Sequence, residues 1–399
     1  MGGYFSPMPT APIYLDHAAT TPVRPEVLEA MLPYLGRERF GNPSSAHQIG
    51  RTARAGLELA RQQVADALGV EQRDVLFTSG GTEANNFAII GAALAARRTG
   101  AMGGVAVAAT EHKSTLAAAH AVREFGGAEH VIPVAASGLI ESEALDAALA
   151  LRPALLSVMW VNNETGVIQP IERIAHACAA AGVPFHTDMV QAFGKLPASL
   201  EKLPVTFATV SGHKIGAPKG VGALIARDRS QLSPLIHGGG QQGGLRPGTE
   251  NIAAAVGLGR AAVLAVREQA AEAGRLEALR TELLRRIRTA LPEVAVAGEA
   301  APRAPHILNL LIPGADSEAL LMHLDLAGIA ASGGSACASG ATEPSHVLLA
   351  MGYPRELAAG AIRLSLGRET TPAEIASAAE AVSAVVAKVR RLAEVLGRG

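Results

Sequence analysis

A lysine that can act as a nucleophile stands at Lys214, in the run Ser211-Gly212-His213-Lys214. It follows an apolar stretch, residues 205–210, that is typical of a β-strand. The amino group of a lysine can form an imine with a carbonyl compound, which few other side chains do. A lysine in a loop is more often an ordinary surface residue. The chemistry of Lys214 therefore depends on which other residues share its surroundings.

Three further polar residues, His112, Asn163 and Asp188, also stand just after strand-like runs. Strand-like and helix-like segments alternate along this part of the chain, which predicts an α/β fold with a mostly parallel sheet. Ligands of such sheets bind beyond the carboxyl ends of the strands. We therefore expect these three residues and Lys214 to share one site.

A glycine turn, Ser79-Gly80-Gly81-Thr82-Glu83, joins a strand predicted over residues 75–78 to a helix predicted over residues 84–97. A helix that begins after such a turn directs backbone N–H groups and the positive end of its dipole at an anion. Thr82 adds a hydroxyl donor. A plain capped turn between strand and helix is an equally good interpretation, and the G-x-G-x-x-G spacing of dinucleotide sites is missing.

These residue types meet the needs of pyridoxal 5′-phosphate (PLP) chemistry. Lys214 would form the imine, Asp188 would keep the pyridine nitrogen protonated, and His112 would stack on the ring. Taken singly, His112 could equally be a loop histidine with a structural hydrogen bond, and Asp188 a turn or helix cap. The candidate phosphate donors are Thr82, Ser211 and His213.

Arg363 lies in an alternating run, residues 361–366, that predicts a strand. Its guanidinium group could bind the carboxylate of an amino acid through two parallel hydrogen bonds. A surface position or a salt bridge is the alternative interpretation for this arginine.

The chain has two cysteines, which is too few for a disulfide framework or a cysteine-rich metal site. Cys337 lies in a run of glycine, serine and alanine, where an ionised thiol could act as a nucleophile. Its alternative is a small buried apolar residue. Cys178 falls among alanines in a helix predicted over residues 171–181, and there we expect a core residue.

The composition limits the class of protein. With 399 residues, of which 49% are hydrophobic and 18% charged, the chain can bury a large core in two domains. A net charge of −1 and 3% aromatic residues give no sign of nucleic-acid binding. We see no secretory signal and no apolar run of membrane-spanning length, so we expect a cytoplasmic enzyme.

Several motifs follow one another along the chain in an order that is specific to one protein family. They are Tyr14-Leu15-Asp16-His17-Ala18-Ala19-Thr20-Thr21-Pro22, Thr78-Ser79-Gly80-Gly81-Thr82-Glu83, Thr110-Glu111-His112-Lys113, Val161-Asn162-Asn163-Glu164-Thr165-Gly166, Ser211-Gly212-His213-Lys214, Ser335-Ala336-Cys337 and Ile362-Arg363-Leu364-Ser365-Leu366-Gly367-Arg368. The sequence therefore resembles the NifS/IscS-type cysteine desulfurases, which are PLP enzymes of fold type I in the class V aminotransferase group. The resemblance implies a large, mostly parallel-sheet α/β/α domain over residues 14–260. A smaller α+β domain, residues 1–13 and 261–399, would carry the cysteine loop.

The resemblance also implies a role for each site residue. Lys214 is the imine-forming lysine, and Cys337 is the residue that takes the sulfur. His112 stacks on PLP and assists proton transfer, and Thr249 reaches the phosphate of the other subunit of a homodimer. Asn163 and Arg363 hold the substrate. The expected cofactor-binding residues are Gly81, Thr82, His112, Asn163, Asp188, Gln191, Ser211, His213, Lys214 and Thr249.

The activity implied is conversion of L-cysteine to L-alanine with a persulfide on Cys337. The sulfur would pass to an acceptor protein such as an iron–sulfur scaffold, or to thio-cofactors or tRNA thiolation. No metal site is expected, apart from Cys337 as a transient iron–sulfur ligand. Selenocysteine lyase activity and another class V reaction, such as transamination, are the alternatives.

One feature indicates a branch of that family, and another departs from the family pattern. The loop after Cys337 continues through Thr342-Glu343-Pro344-Ser345-His346 and is similar to the longer version of the family. That version is associated with the housekeeping and nitrogen-fixation desulfurases. The chain stops at Gly399, whereas IscS-type enzymes carry a longer tail that helps to dock the scaffold. The likeness therefore does not extend to that docking segment.

Overall fold

The structure, a computed structural model, describes residues 12–333 and 343–395. Within these ranges the chain forms eleven α-helices and twelve β-strands. The helices are α1 (Pro25–Leu35), α2 (Gln48–Leu68), α3 (Gly81–Arg98), α4 (Lys113–Ala121), α5 (Ser142–Ala150), α6 (Ile171–Ala181), α7 (Ile252–Ala290), α8 (Ser317–Leu326), α9 (His346–Ala350), α10 (Arg355–Ala359) and α11 (Pro372–Val395). The strands are β1 (Ile13–Tyr14), β2 (Val75–Thr78), β3 (Val105–Ala108), β4 (Glu129–Ile132), β5 (Leu155–Ser157), β6 (Phe185–Asp188), β7 (Phe207–Ser211), β8 (Gly222–Ala226), β9 (Ala295–Val296), β10 (Ile307–Leu311), β11 (Ile329–Ala330) and β12 (Ala361–Ser365).

A seven-stranded sheet in the order β2-β8-β7-β6-β5-β3-β4 forms the centre of the fold. Only β8 runs antiparallel to its neighbours within this sheet. The expected mostly parallel sheet is therefore present. Because all strands other than β8 point the same way, the loops after β2, β3, β5, β6 and β7 meet at one edge. That edge is where the polar residues of the sequence motifs lie.

Helices cover both faces of this sheet, which explains why its inner strands are apolar on both sides. Successive strand residues face opposite layers. Val75 packs in a cluster with side chains of α2, α6 and α7, whereas Leu76 packs in a second cluster with side chains of α3 and α4. The same alternation recurs in β7, where Phe207 and Ala208 belong to different clusters.

A second core surrounds a three-stranded antiparallel sheet in the order β12-β10-β9. Side chains of α8, α11 and the second half of α7 cover it, and Leu15 joins the cluster from the N-terminal segment. The two-residue strands β1 and β11 pair in parallel beside this sheet. Arg363, in β12, is thereby carried on a different sheet from Lys214.

Helix α7 has 39 residues and contributes to both cores. Asn251 caps its start, since Oδ1 accepts the N–H of Ala254 at 3.1 Å. The domain boundary expected near residue 260 falls inside this continuous helix, and it stays a prediction. Across residues 12–333 and 343–395, no helix combines the length and apolarity that crossing a membrane requires.

One predicted helix boundary was wrong. Helix α3 begins at Gly81 and not at residue 84, so Thr82 lies in its first turn. Strand β5 ends at Ser157, and the mostly apolar run that contains it continues to Trp160 beside β6. There the N–H of Met159 donates to the carboxyl group of Glu111, and the N–H of Trp160 donates to the carbonyl of Asp188.

Two glycines allow β8 to pass directly beneath the turn that starts α3. Gly80 has a φ of 154°, which side-chain-bearing residues rarely adopt. A Cβ on Gly222 would lie 2.6 Å from the carbonyl oxygen of Val210 and 2.8 Å from the Cα of Gly80. Both obstructing atoms belong to the backbone, so they cannot move aside as a flexible side chain would.

We therefore expect Gly222→Ala to destabilise the protein by about 1–3 kcal/mol, the usual cost of overpacking a filled site. Gly274→Ala is the matched control, because Gly274 is helical and a Cβ added there would meet no atom of the described residues within 4 Å. That change should stabilise the protein by up to about 1 kcal/mol through helix propensity. The urea midpoints of the two variants, followed by circular dichroism, should shift in opposite directions; equal shifts would contradict the packing argument.

Candidate active site

A cavity of about 400 Å³ opens at the carboxyl edge of the central sheet. It collects side chains from four strand ends of this sheet, from the start of α3 and from β12. Ten residues expected from the sequence line it together, although their individual roles stay predictions. They are Gly81, Thr82, His112, Asn163, Asp188, Gln191, Ser211, His213, Lys214 and Arg363.

Lys214 ends a single 3₁₀ turn, residues 212–214, that directly follows β7. Its Nζ donates to the carbonyl oxygens of Ala18 at 2.7 Å and Ala19 at 2.6 Å. The Ala18 carbonyl also accepts a hydrogen bond from Nε2 of Gln191 at 2.9 Å. The segment that follows β1 thus orients two cavity residues by backbone groups alone.

Asp188 is the last residue of β6 and is 4% exposed. Its Oδ1 accepts the backbone N–H of Val190 at 2.8 Å, and its Oδ2 accepts a hydrogen from Nδ2 of Asn85 at 2.8 Å. Each carboxylate oxygen can accept more than one hydrogen bond, so Asp188 keeps capacity for a further donor. Such a buried and oriented carboxylate suits a protonated ring nitrogen.

The same Asn85 amide is linked to His112 through Ser114. Nδ2 of Asn85 donates its second hydrogen to Oγ of Ser114 at 3.0 Å, and that oxygen lies 2.7 Å from Nδ1 of His112. Nδ1 also accepts the backbone N–H of Ser114 at 3.1 Å, so in the neutral ring the hydrogen is on Nε2. Burial lowers the pKa of His112, and Lys214 lowers it further. The ring is therefore a neutral, flat group beside the cavity.

Residues 80–82 and Ser211 form a cradle of hydrogen-bond donors where α3 begins. The first N–H groups of a helix have no partner within the helix, and among the described residues no side chain caps α3. Ser211, 3% exposed, has a buried Oγ without a hydrogen-bond partner in the described part of the chain. His213 lies beside it, and burial lowers the pKa of His213 to about 4. Neutral donors thus converge on a space suited to an anion.

Arg363 is 1% exposed, yet its guanidinium group faces the cavity. Nη2 donates to Oδ1 of Asp16 at 2.7 Å, and Nη1 donates to the carbonyl of Asn163 at 2.8 Å. Asn162 shapes the turn that presents Asn163, because its Oδ1 accepts the backbone N–H groups of Glu164 at 2.9 Å and Thr165 at 2.8 Å. A buried arginine fixed in this way can present guanidinium N–H groups to the carboxylate of a ligand.

Among the described residues, one expected site residue, Thr249, does not line this cavity. Thr249 is exposed, which leaves open its predicted reach into the other subunit. Cys337 lies outside the described residues, so its placement rests on the sequence. Cys178 is fully buried in α6, as expected for a core residue.

The sequence interpretation missed several residues around the cavity. Asn85 and Ser114 connect Asp188 to His112, and His346 at the start of α9 donates from Nε2 to the carbonyl of Glu111 at 3.0 Å. Ser345 caps α9 and donates its hydroxyl to Glu164, which also lines the cavity. Asn85 is one helical turn beyond Thr82, so the position of α3 was the signal that could have found it.

Residues 13–377 match the aminotransferase class-V family. The chain belongs to this family. It is 45% identical to a protein of Cereibacter sphaeroides named cysteine desulfurase, over 95% of this chain and 97% of that protein. It is 40% identical to the cysteine desulfurase IscS of Dictyoglomus turgidum, over 95% of this chain and 96% of that one. The resemblance drawn from the motifs is thereby confirmed.

A solved structure described as a NifS-like protein has the same fold. It superposes with a TM-score of 0.87 at 34% sequence identity, and the match covers 94% of this chain and all of that one. The expected fold class, an α/β architecture of fold type I, is therefore confirmed. The family match, residues 13–377, extends beyond the central sheet and includes the part of the chain that carries Arg363.

The two cysteines should differ sharply in reactivity. Burial raises the pKa of Cys178 to about 12, so at about pH 8 roughly one thiol in ten thousand is ionised. We expect iodoacetamide to leave Cys178 unmodified in the native protein and to modify it in concentrated urea, as seen by peptide mass mapping. Rapid modification of Cys178 in the native protein would contradict its assignment to the core. A Cys178→Ala variant, which cannot be modified at this position, is the control for the mass mapping.

Proposed function

We propose that this protein is a PLP-dependent cysteine desulfurase that converts L-cysteine to L-alanine and leaves a persulfide on Cys337. The observation that carries the proposal is the convergence of Lys214, Asp188 and Arg363 on one cavity, in a chain 45% identical to a named cysteine desulfurase. These three residues supply an amine, a carboxylate for a ring nitrogen and a cation for an amino-acid carboxylate. The proposed physiological role is sulfur supply for iron–sulfur cluster assembly, with thio-cofactors or tRNA thiolation as further uses.

The described residues fit both the phosphate end and the ring-nitrogen end of PLP. The buried Oγ of Ser211 and the start of α3 offer donors for a phosphate, and a Cβ on Gly81 would lie 3.1 Å from Cγ2 of Val190. At the other end Asp188 lies buried between two N–H donors. Thr82 and His213 complete the proposed phosphate site, and Gln191 and Asn163 the proposed ring contacts.

When bound, PLP withdraws electrons from the carbon that carries the amino group of the substrate. Asp188 would hold the proton on the ring nitrogen, and the neutral His112 would cover one face of the ring. Lys214 provides the amine that accepts and returns the α-proton. Its two backbone acceptors, Ala18 and Ala19, keep Nζ at the cavity wall between these events.

Arg363 would bind the substrate carboxylate, and Asn163 would stand beside it. Asp16 and the Asn163 carbonyl orient the guanidinium group, so little side-chain freedom is lost when a substrate binds. This anchor would place the substrate amine toward Lys214. The substrate sulfur would then face the side from which Cys337 must approach.

The sulfur transfer balances without an external oxidant. The Cys337 thiolate forms an S–S bond with the substrate sulfur while the C–S bond of the substrate breaks. The carbon takes a proton, which gives alanine, and the protein keeps the persulfide. His112, whose Nε2 carries a hydrogen in the neutral ring, is the proposed group for proton transfer at the sulfur.

Incubation with L-cysteine should therefore give alanine and a mass increase of one sulfur atom on the peptide that contains Cys337. Cys337→Ser should lower the rate of alanine formation by at least about a hundredfold, because the nucleophile is lost. Cys178→Ser is the matched control and should keep the activity. Unchanged turnover in Cys337→Ser would refute the proposal.

The same assay separates the alternatives. A transaminase would form a keto acid from cysteine in place of alanine. A selenocysteine lyase would turn over L-selenocysteine much faster than L-cysteine. The absence of a cofactor absorbance band that depends on Lys214 would exclude PLP chemistry altogether.

The proposed active unit is a homodimer in which Thr249 serves the phosphate site of the partner. Thr249 is exposed and is not one of the residues that line the cavity of its own chain. Three leucines at helical spacing in α1, Leu28, Leu32 and Leu35, are 48%, 54% and 64% exposed. An exposed apolar stripe of this kind is typical of a contact surface, and a second copy of the chain is the occupant we propose.

Mixing two impaired variants tests this arrangement. Lys214→Ala lacks the amine, and Thr249→Val should bind PLP about tenfold more weakly through loss of a charge-assisted hydrogen bond. If Thr249 acts across the interface, the mixed dimer contains one site with both native residues. At a PLP concentration too low to load Thr249→Val, activity should then reappear after co-refolding, at about a quarter of the wild-type value for random pairing.

Equilibrium sedimentation of the wild type and the two variants provides the control for assembly. A monomeric wild-type protein with full activity, or a mixture that stays inactive although mixed dimers form, would contradict the shared site. The sulfur acceptor and the cytoplasmic location stay predictions from the sequence.

A further inference from the structure

His306 lies immediately before β10 and is 1% exposed. Its Nε2 is 3.2 Å from Oε1 of Gln191, a residue that lines the cavity. Burial lowers the pKa of His306 well below its usual value, and Lys195 lowers it further. The imidazole is therefore neutral near neutral pH and carries a single N–H.

The neighbours of the Gln191 amide determine which His306 nitrogen carries that hydrogen. The partner of the NH₂ group is the carbonyl of Ala18, which can only accept, so the amide nitrogen must face Ala18 and the amide oxygen must face His306. An amide oxygen also only accepts. Nε2 of His306 is consequently the protonated nitrogen, and Nδ1 keeps a buried lone pair without a partner in the described part of the chain.

This arrangement leaves one hydrogen of the Gln191 NH₂ group uncommitted among the described contacts. A rotation of the amide by half a turn would place its oxygen against the Ala18 carbonyl and its NH₂ group against the His306 N–H. The contact with Ala18 would be repulsive for either tautomer of His306, whereas a shift of the His306 hydrogen to Nδ1 would relieve the other contact. Ala18 therefore selects the orientation of the amide, and the hydrogen bond that His306 donates to Oε1 holds the amide in that orientation. The remaining N–H can then serve an acceptor oxygen in the cavity.

We propose that His306 is a positioning residue that fixes the Gln191 amide, so that one of its N–H groups is offered to an anionic oxygen of the ring-bearing cofactor. The assignment rests on the proposed function, since it takes PLP as the ligand. His306 does not touch the cavity and acts only through Gln191. The shared Ala18 carbonyl also places this hydrogen-bond chain beside Nζ of Lys214.

The test compares His306→Met with His306→Gln in the holoenzyme. The two replacements have similar length and volume, but only glutamine keeps an N–H donor for the Gln191 oxygen. We expect His306→Met to weaken PLP binding about tenfold, the scale of one hydrogen bond to a charged group. The pH titration of the bound cofactor's absorbance should also shift to higher pH, because an ionised ring oxygen loses a fixed donor. His306→Gln should retain both properties within about threefold.

A double-mutant cycle separates positioning from a general packing role. Gln191→Leu alone should reproduce the loss in affinity and the spectral shift, and adding His306→Met should change neither further. Thermal unfolding midpoints of all four proteins check that each is folded. Additive effects, or a His306→Met protein indistinguishable from wild type, would overturn the assignment. A wild-type protein that binds no PLP would refute the proposed function itself, so the two failures are distinguishable.

Discussion

A buried guanidinium group constrains the path of the segment that lines the candidate active site. Arg363 is 1% exposed, and Asp16 balances its charge across a 2.7 Å contact. A buried ion costs several kcal/mol unless it is paired and hydrogen-bonded, so the chain after β1 must pass beside β12. Ser365 fixes the same segment, because its N–H donates to the carbonyl of Leu15 and its Oγ accepts the N–H of Ala18.

The position of this segment also affects Lys214, which follows a strand of the central sheet. The segment that pairs with Arg363 and Ser365 also presents the carbonyls of Ala18 and Ala19 to Nζ of Lys214. The proposed substrate anchor and the proposed imine-forming lysine are thus joined by a few residues of backbone. A displacement of β12 would therefore move both ends of the candidate site together.

The expectation that ligands bind beyond the carboxyl ends of parallel strands brought His112, Asp188 and Lys214 together from the sequence. It succeeded because β3, β6 and β7 run in one direction and end at one edge of the sheet. It could not locate Asn85 or His306, whose partners Asp188 and Gln191 are 103 and 115 positions away along the chain. Neither residue follows a strand, and both act by contacts that only the folded chain creates. The start of α3 was misplaced because two adjacent glycines favour a turn by local propensity, whereas in the folded chain Gly80 is the N-cap and Gly81 is already helical.

The end of the cavity where α3 begins is lined by neutral groups. Burial keeps His112 and His213 uncharged, with the pKa of His213 at about 4, so neither adds a cation near neutral pH. The cradle formed by residues 80–82 and Ser211 contributes N–H and O–H donors and no lysine or arginine. A phosphate bound there would rely on the dipole of α3 and on oriented hydrogen bonds. The amine of Lys214 and the guanidinium group of Arg363, which Asp16 pairs, are then left for the proposed amine and carboxylate chemistry of an amino acid.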